Sequence, residues 1–185
     1  MRVLKLVSEK VGFATNSSSY HQVVYQPNGN KEFKINLRGV SKANPVHIAS
    51  DEYGRNGYGA ACKTWREKAS YVMTWYCNRI DYDVPVGLKC NDMEELQGFK
   101  KMLEKHVGKG CIVLDGEQTK PNRENWEYGD EWKGNIDHQS ADLLDGCSPT
   151  LLEEIIFSDS IIWVESDEDR THNDSQWVFK KVKKK

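Results

Sequence analysis

Residues 13–21, Phe13-Ala14-Thr15-Asn16-Ser17-Ser18-Ser19-Tyr20-His21, place five small polar side chains in a row and a histidine two positions beyond them. Such a run is unsuited to a core and makes a poor helix, because its hydroxyls and amide compete for nearby backbone groups. Three kinds of chemistry are open to it. Consecutive N–H groups and hydroxyls can form an anion nest for a phosphate, with His21 supplying a proton or a positive charge beside it. The same side chains can contact a partner protein. Or they can satisfy the backbone of a tight loop and do nothing else. The ligand-binding candidates are therefore Thr15, Asn16, Ser17, Ser18, Ser19 and His21. The run lacks the glycine spacing and the Gly-Lys-Ser end of a Walker loop. It also lacks the glycine-flanked serine of a hydrolase elbow, and no third group is specified for a Ser19–His21 pair.

A second group of chemistry-bearing residues lies near the other end. Asp167, Glu168, Asp169 and Asp174 offer hard oxygen ligands suited to Mg²⁺ or Ca²⁺, although their spacing is not that of an EF-hand. Asp167 and Asp169 are the metal candidates, against the plainer reading of a solvated acidic turn. A third group is Trp126, Tyr128 and Trp132, interleaved with Glu124, Glu127, Asp130 and Glu131. Aromatics among acids suit contact with a protein or a cationic peptide. A nucleic-acid platform would instead interleave lysine and arginine. The plain alternative is that these tryptophans fold back onto the core. The tail Lys180 to Lys185 is almost all lysine, which favours solubility over phosphate contact.

These groups need a scaffold, and 185 residues suffice for one domain with a sizeable core. The expected organisation is one α+β domain over residues 1–179 and a lysine-rich tail over 180–185. Hydrophobic residues make up 38% and charged residues 29%, and the net charge is −2, so no global pull toward nucleic acid or membrane exists. No stretch approaches the length of a membrane span. The opening MRVLKLVSEK carries a charge every few positions and does not read as a secretory leader. Five cysteines without a C-x-x-C pair argue against a disulfide framework or a zinc ribbon and for reduced thiols in a cytoplasm.

Alternation over Arg2 to Val7 predicts an edge strand. Val23 to Tyr25 and Phe33 to Leu37 predict two strands joined at Pro27-Asn28-Gly29-Asn30. Gly39 to Gly59, rich in Asn, Gly, Ser and Pro, predicts a long loop. Ala60 to Ile80 has helical periodicity, with Ala61, Trp65, Ala69, Val72, Met73, Tyr76, Cys77 and Ile80 on one face. A second helix is predicted from Asp92 to Val107, capped by Asn91 with Glu94 in the reciprocal position and ended by Gly108. Cys111 to Leu114 predicts a buried strand and residues 117–140 a loop. Ser148-Pro149 starts a third helix, and strands are predicted at Ser160 to Val164 and Gln176 to Val182. The sum is an α+β fold, a small antiparallel or mixed sheet packed against about three helices.

The string FATNSSSYH, placed after a first strand and before Val23-Val24, resembles a recurrent N-terminal signature of uncharacterised bacterial and phage proteins. Phe13, Thr15, Asn16, Ser17, Ser18, Ser19 and His21 carry the match. A looser similarity lies in Phe157-Ser158-Asp159-Ser160-Ile161-Ile162 followed by Asp167-Glu168-Asp169, where the family more often has an asparagine. The resemblance implies a phage or mobile-element accessory protein and no particular activity. Two marked elements in one small fold are expected to meet around one cleft holding Asn16, Ser17, His21, Asp167 and Asp169. The leading expectation is a cytoplasmic protein that binds a host protein. The alternative is an enzyme or sensor handling a nucleotide or phosphate at the serine run, assisted by a divalent metal. The sequence leaves open whether the chain is an enzyme.

Overall fold

A computed structural model describes residues 5–11, 20–25, 35–51, 53, 60–78, 89–116, 136 and 143–165. Its strands are β1 (Lys5–Val11), β2 (Tyr20–Tyr25), β3 (Val46–Ala49), β4 (Ala60–Cys62), β5 (Ile112–Asp115) and β6 (Ile161–Glu165). Its helices are α1 (Trp65–Cys77), α2 (Glu94–Val107) and α3 (Pro149–Ile156), with a short 3-10 helix at Cys90–Asp92. The fold is α+β as expected. The strands form two sheets, an antiparallel one in the order β1-β2-β6-β4 and a parallel pair β3-β5.

Helix α1 is the centre of the molecule and packs against β3, β4, α2 and α3. Trp65, Ala69, Val72, Met73 and Cys77 are buried as their spacing predicts, and so are Lys68, Tyr71, Thr74 and Trp75. A helix buried almost all round is a core helix rather than a surface one. Its start is set by Thr64, whose hydroxyl accepts from the Glu67 N–H at 3.3 Å while the Glu67 carboxylate accepts from the Thr64 N–H at 2.7 Å. This reciprocal capping box ends the strand-like stretch before it. Ala60 to Cys62, expected as the first turn of this helix, is instead strand β4, held by antiparallel pairing with Ile162 to Val164. Alanine favours helix locally, and the ladder to β6 overrides that preference.

Helix α2 ends at Gly108 as expected and buries Leu96, Leu103 and Val107, with Met93 buried at its cap and Phe99 adding to the stripe. Its start differs. Met93 holds the cap position without a side-chain bond. Asn91 is committed elsewhere, its Oδ1 accepting from Lys100 Nζ at 2.7 Å. Ser148 caps α3 as expected, accepting from the Leu151 N–H at 3.2 Å, and Leu152, Ile155 and Ile156 are buried.

Two corrections concern strands. Val46 to Ala49 lies inside the expected loop but forms β3, paired in parallel with β5, with Val46 and Ile48 buried and His47 and Ala49 exposed. Residues 35–37, expected at the end of a hairpin strand beside β2, are not extended pairing partners. Both sides of β2 are taken by β1 and β6. The strand expected at Gln176 to Val182, the acidic loop and the lysine tail lie outside the described residues.

Candidate functional site

The ladder between β2 and β6 pairs the strand ends that adjoin the two marked segments. Tyr20 stands opposite Glu165 and His21 opposite Val164. On the other side Val11 stands opposite Tyr20. The chain therefore leaves β1, passes through the serine run and enters β2 at the same sheet end where it leaves β6 toward Asp167 and Asp169. β4 begins at that end too, with Ala60 opposite Val164. Thr15, Asn16, Ser17, Ser18, Ser19, Asp167, Asp169, Trp126, Tyr128 and Trp132 themselves lie outside the described residues. His21 is placed by its backbone as the second residue of β2.

Strand β6 is central, with β2 and β4 on its two sides, and it buries Ile162 and Val164. What positions β6 is the segment before it. Phe157-Ser158-Asp159-Ser160 closes α3, and its serines are spent on that closure. The Ser160 N–H donates to Ser158 Oγ at 3.2 Å. Both serine hydroxyls donate to the Ile155 carbonyl. The turn's own carbonyls are taken by Lys68 of α1, whose Nζ donates to Ser158 O at 2.6 Å and Ser160 O at 3.2 Å. Lys68 and both serines are buried. Burial pushes the Lys68 ammonium down to about 8, because the charged form loses its water.

Lys68 Nζ also reaches Ser160 Oγ at 3.3 Å, which has the outline of a serine–lysine catalytic pair. The pair holds a turn instead. Ser160 Oγ is engaged with a backbone carbonyl, and exposures of 0% and 1% leave a substrate no approach. The second marked block therefore fixes where β6 starts.

Three polar arrangements were not legible in the sequence. Glu153 on α3 takes Lys105 Nζ at 2.7 Å and His106 Nε2 at 2.6 Å from α2. The two hydrogen bonds and charges hold its carboxyl below the usual carboxylate range, the Lys105 bond foremost, against a smaller opposing effect of burial. The His106 ring stacks on Phe157 at 4.0 Å, and Phe157 stacks on Trp65 at 5.8 Å. On the parallel pair, His47 Nδ1 meets Asp115 Oδ2 at 2.8 Å with both side chains exposed. In the core, the Cys77 and Cys90 sulfurs lie 3.9 Å apart. All three join residues far apart in sequence, so no local spacing could announce them. Near Cys62 and Tyr53, burial pushes the Cys62 thiol up to about 12 and raises the Tyr53 phenol above its ordinary value. Both stay neutral in the physiological range.

Among the described residues no three metal-ligating side chains gather, and no helix is long and apolar enough to cross a membrane. Comparison with models of known families, with curated proteins and with solved structures gives no match.

Proposed function

We propose that this chain is an accessory protein of phage or mobile-element origin that binds a host protein in the cytoplasm. Its recognition surface is the end of the four-stranded sheet where the serine run and the acidic turn emerge. The observation that supports this reading is the β2–β6 register, with Tyr20 opposite Glu165. One position before Tyr20 the serine run ends, and two positions after Glu165 the first acid of the turn follows. Hydroxyl and amide donors beside carboxylates suit a partner surface that mixes cationic side chains with open carbonyls. Trp126, Tyr128 and Trp132 would add apolar anchors to the same contact.

The test is site-specific photocrosslinking in host cells. A photoreactive residue is placed in turn at Ser18, at Asp169 and, as a control, at Lys101 on the exposed side of α2. Ser18 and Asp169 should capture the same host protein and Lys101 should not. Capture of different proteins from the two positions, or of none, would remove the shared-surface reading. A rise in melting temperature with ATP, GTP or Mg²⁺ in a ligand panel would shift the assignment to the nucleotide- or phosphate-handling alternative.

A further inference from the structure

Cys77 and Cys90 are set apart from the chain's other thiols by facing each other. Their sulfurs are 3.9 Å apart, at van der Waals contact and within reach of an S–H···S bond. Cys77 is the last residue of α1, and Cys90 is the first of the 3-10 helix. The Cys90 backbone is pinned by its N–H donating to Gly116 O at 3.0 Å. Gly116 is also what makes room for the sulfur, since a Cβ there would lie 2.7 Å from Cys90 Sγ. A buried cysteine is ordinarily a small hydrophobe. Two that touch each other, one at a helix end and one on a pinned turn, are also a reactant pair.

We infer that Cys77 and Cys90 form a redox-active dithiol that closes to an intramolecular disulfide when hydrogen peroxide reaches it. The sulfurs must approach by about 2 Å to reach the ~2.05 Å of a bond. Cys90 is the attacking sulfur. Either sulfur can donate in this contact; with Cys77 as the donor the bond favours the Cys90 thiolate, and that bond and burial both hold Cys77 protonated. The Cys90 sulfur attacks one peroxide oxygen, the O–O bond breaks, and the departing hydroxide takes a proton to become water. The Cys77 sulfur then attacks the resulting Cys90 sulfenic acid, the S–O bond breaks, and a second water leaves with the Cys77 proton. Two thiols and one peroxide become one disulfide and two waters. The thiols lose two electrons and two protons, and the peroxide gains them. Cys77 and Cys90 are 1% and 0% exposed, so the reaction proceeds through local opening at these element ends, where opening costs least, and the reagent that enters is little larger than water.

The test uses the full-length native protein. It is treated with hydrogen peroxide, its remaining thiols are blocked with N-ethylmaleimide after unfolding, and the digest is mapped by mass spectrometry. The expected product is a Cys77–Cys90 linked peptide pair, two hydrogens lighter and reversed by dithiothreitol. Cys62 and the half-exposed Cys111 and Cys147 should carry the blocking group. Blocked Cys77 and Cys90, separate overoxidation of the two, or a bridge to Cys111 or Cys147 would each overturn the proposal. In Cys77→Ser the resolving thiol is gone, so dimedone should trap a sulfenic acid at Cys90. Absence of that adduct in folded variant would overturn the assignment of the attacking sulfur. If that variant does not fold, the wild-type map decides alone.

Discussion

The Nζ of Lys68 on α1 donates to the carbonyl oxygen of Ser158 at 2.6 Å, joining the central helix to the turn that starts β6. The folded protein carries this ammonium with 0% exposure. Burial lowers its pKa to about 8, against about 10.4 in an unfolded chain. Between those values the unfolded chain binds a proton that the folded one has released, so this group's contribution to stability rises with pH. Below about pH 8 the folded state bears the full cost of the buried charge. Compared with Lys68→Met, the wild type should therefore gain on the order of 3 kcal/mol between pH 7 and pH 10.5. The raised Cys62 and Tyr53 oppose this trend in both proteins and cancel in the difference, apart from the charge coupling between Lys68 and Cys62. Urea unfolding of the two proteins across this range is the measurement. A difference that stays constant with pH would mean that Lys68 does not titrate there.

The capping box at Thr64 and Glu67 gives a prediction of the same pH sense in the acid range. Burial alone would raise the Glu67 pKa, but N–H groups of Thr64 and Lys63 donate to the carboxylate and hold it below its ordinary value. Its contribution is thus present above the unfolded pKa of about 4.3 and is lost as the pH falls through the lower folded value. Thr64→Ala should cost about 1 kcal/mol at pH 7. Glu67→Gln should destabilise at pH 7, with the difference from wild type shrinking toward pH 3. Thermal melts at the two pH values would show it. A Glu67→Gln effect of equal size at both would refute the charged contribution.

Gly116 has φ +152° and no room for a Cβ, which would meet Cys90 Sγ at 2.7 Å. Gly116→Ala should therefore cost roughly 1–3 kcal/mol through overpacking and backbone strain. Cys90→Ala removes the clashing sulfur but not the strain. The double variant should thus be more stable than the sum of the two single losses predicts, which a double-mutant cycle measures. Strict additivity would show that the sulfur is not what Gly116 makes room for.

What was legible in the sequence is what local spacing determines. The apolar stripe of α2, the Ser148-Pro149 start of α3 and the run at Ile161 to Val164 all carry their own periodicity or capping signal. Ala60 to Cys62 and Val46 to Ala49 do not. The first is helix-prone, and the second is four residues inside polar surroundings. Each becomes a strand only because a distant strand, β6 or β5, supplies the ladder. The reciprocal capping-box pattern stands at Thr64-x-x-Glu67 and at Asn91-x-x-Glu94, and of these two only the first caps a helix, four residues later than the expected start at Ala60. Asn91-x-x-Glu94 has the same pattern, but Lys100 takes the asparagine. The Phe157 to Ser160 block was legible as a mark and not as a role, since its partner Lys68 is 90 residues away. The strand ends that lead to the serine run and to the acidic turn, Tyr20 and Glu165, are paired with each other. The shared location of run and turn was an expectation from two marks, and its backbone basis is the Tyr20–Glu165 register.

That register is itself open to a covalent test. Directly opposed residues of an antiparallel pair have Cα atoms about 4.5–5.5 Å apart, inside the range a disulfide accepts. Tyr20→Cys with Glu165→Cys should therefore bridge on mild oxidation. Tyr20→Cys with Trp163→Cys, two positions out of register, should not. The bridge closes a loop of most of the chain, so the oxidised variant should melt well above its reduced form. The chain-entropy estimate is on the order of 5 kcal/mol before any strain. Peptide mapping distinguishes the engineered bridge from one involving a native cysteine. A bridge at Trp163 in place of Glu165 would slide the end of β6 two residues relative to β2. The acidic turn would then emerge away from the serine run, and the shared recognition surface would lose its basis. Formation at Glu165, with host-protein crosslinking from Ser18 lost when Asp167 and Asp169 are changed to alanine, would tie the register to the binding it is proposed to serve.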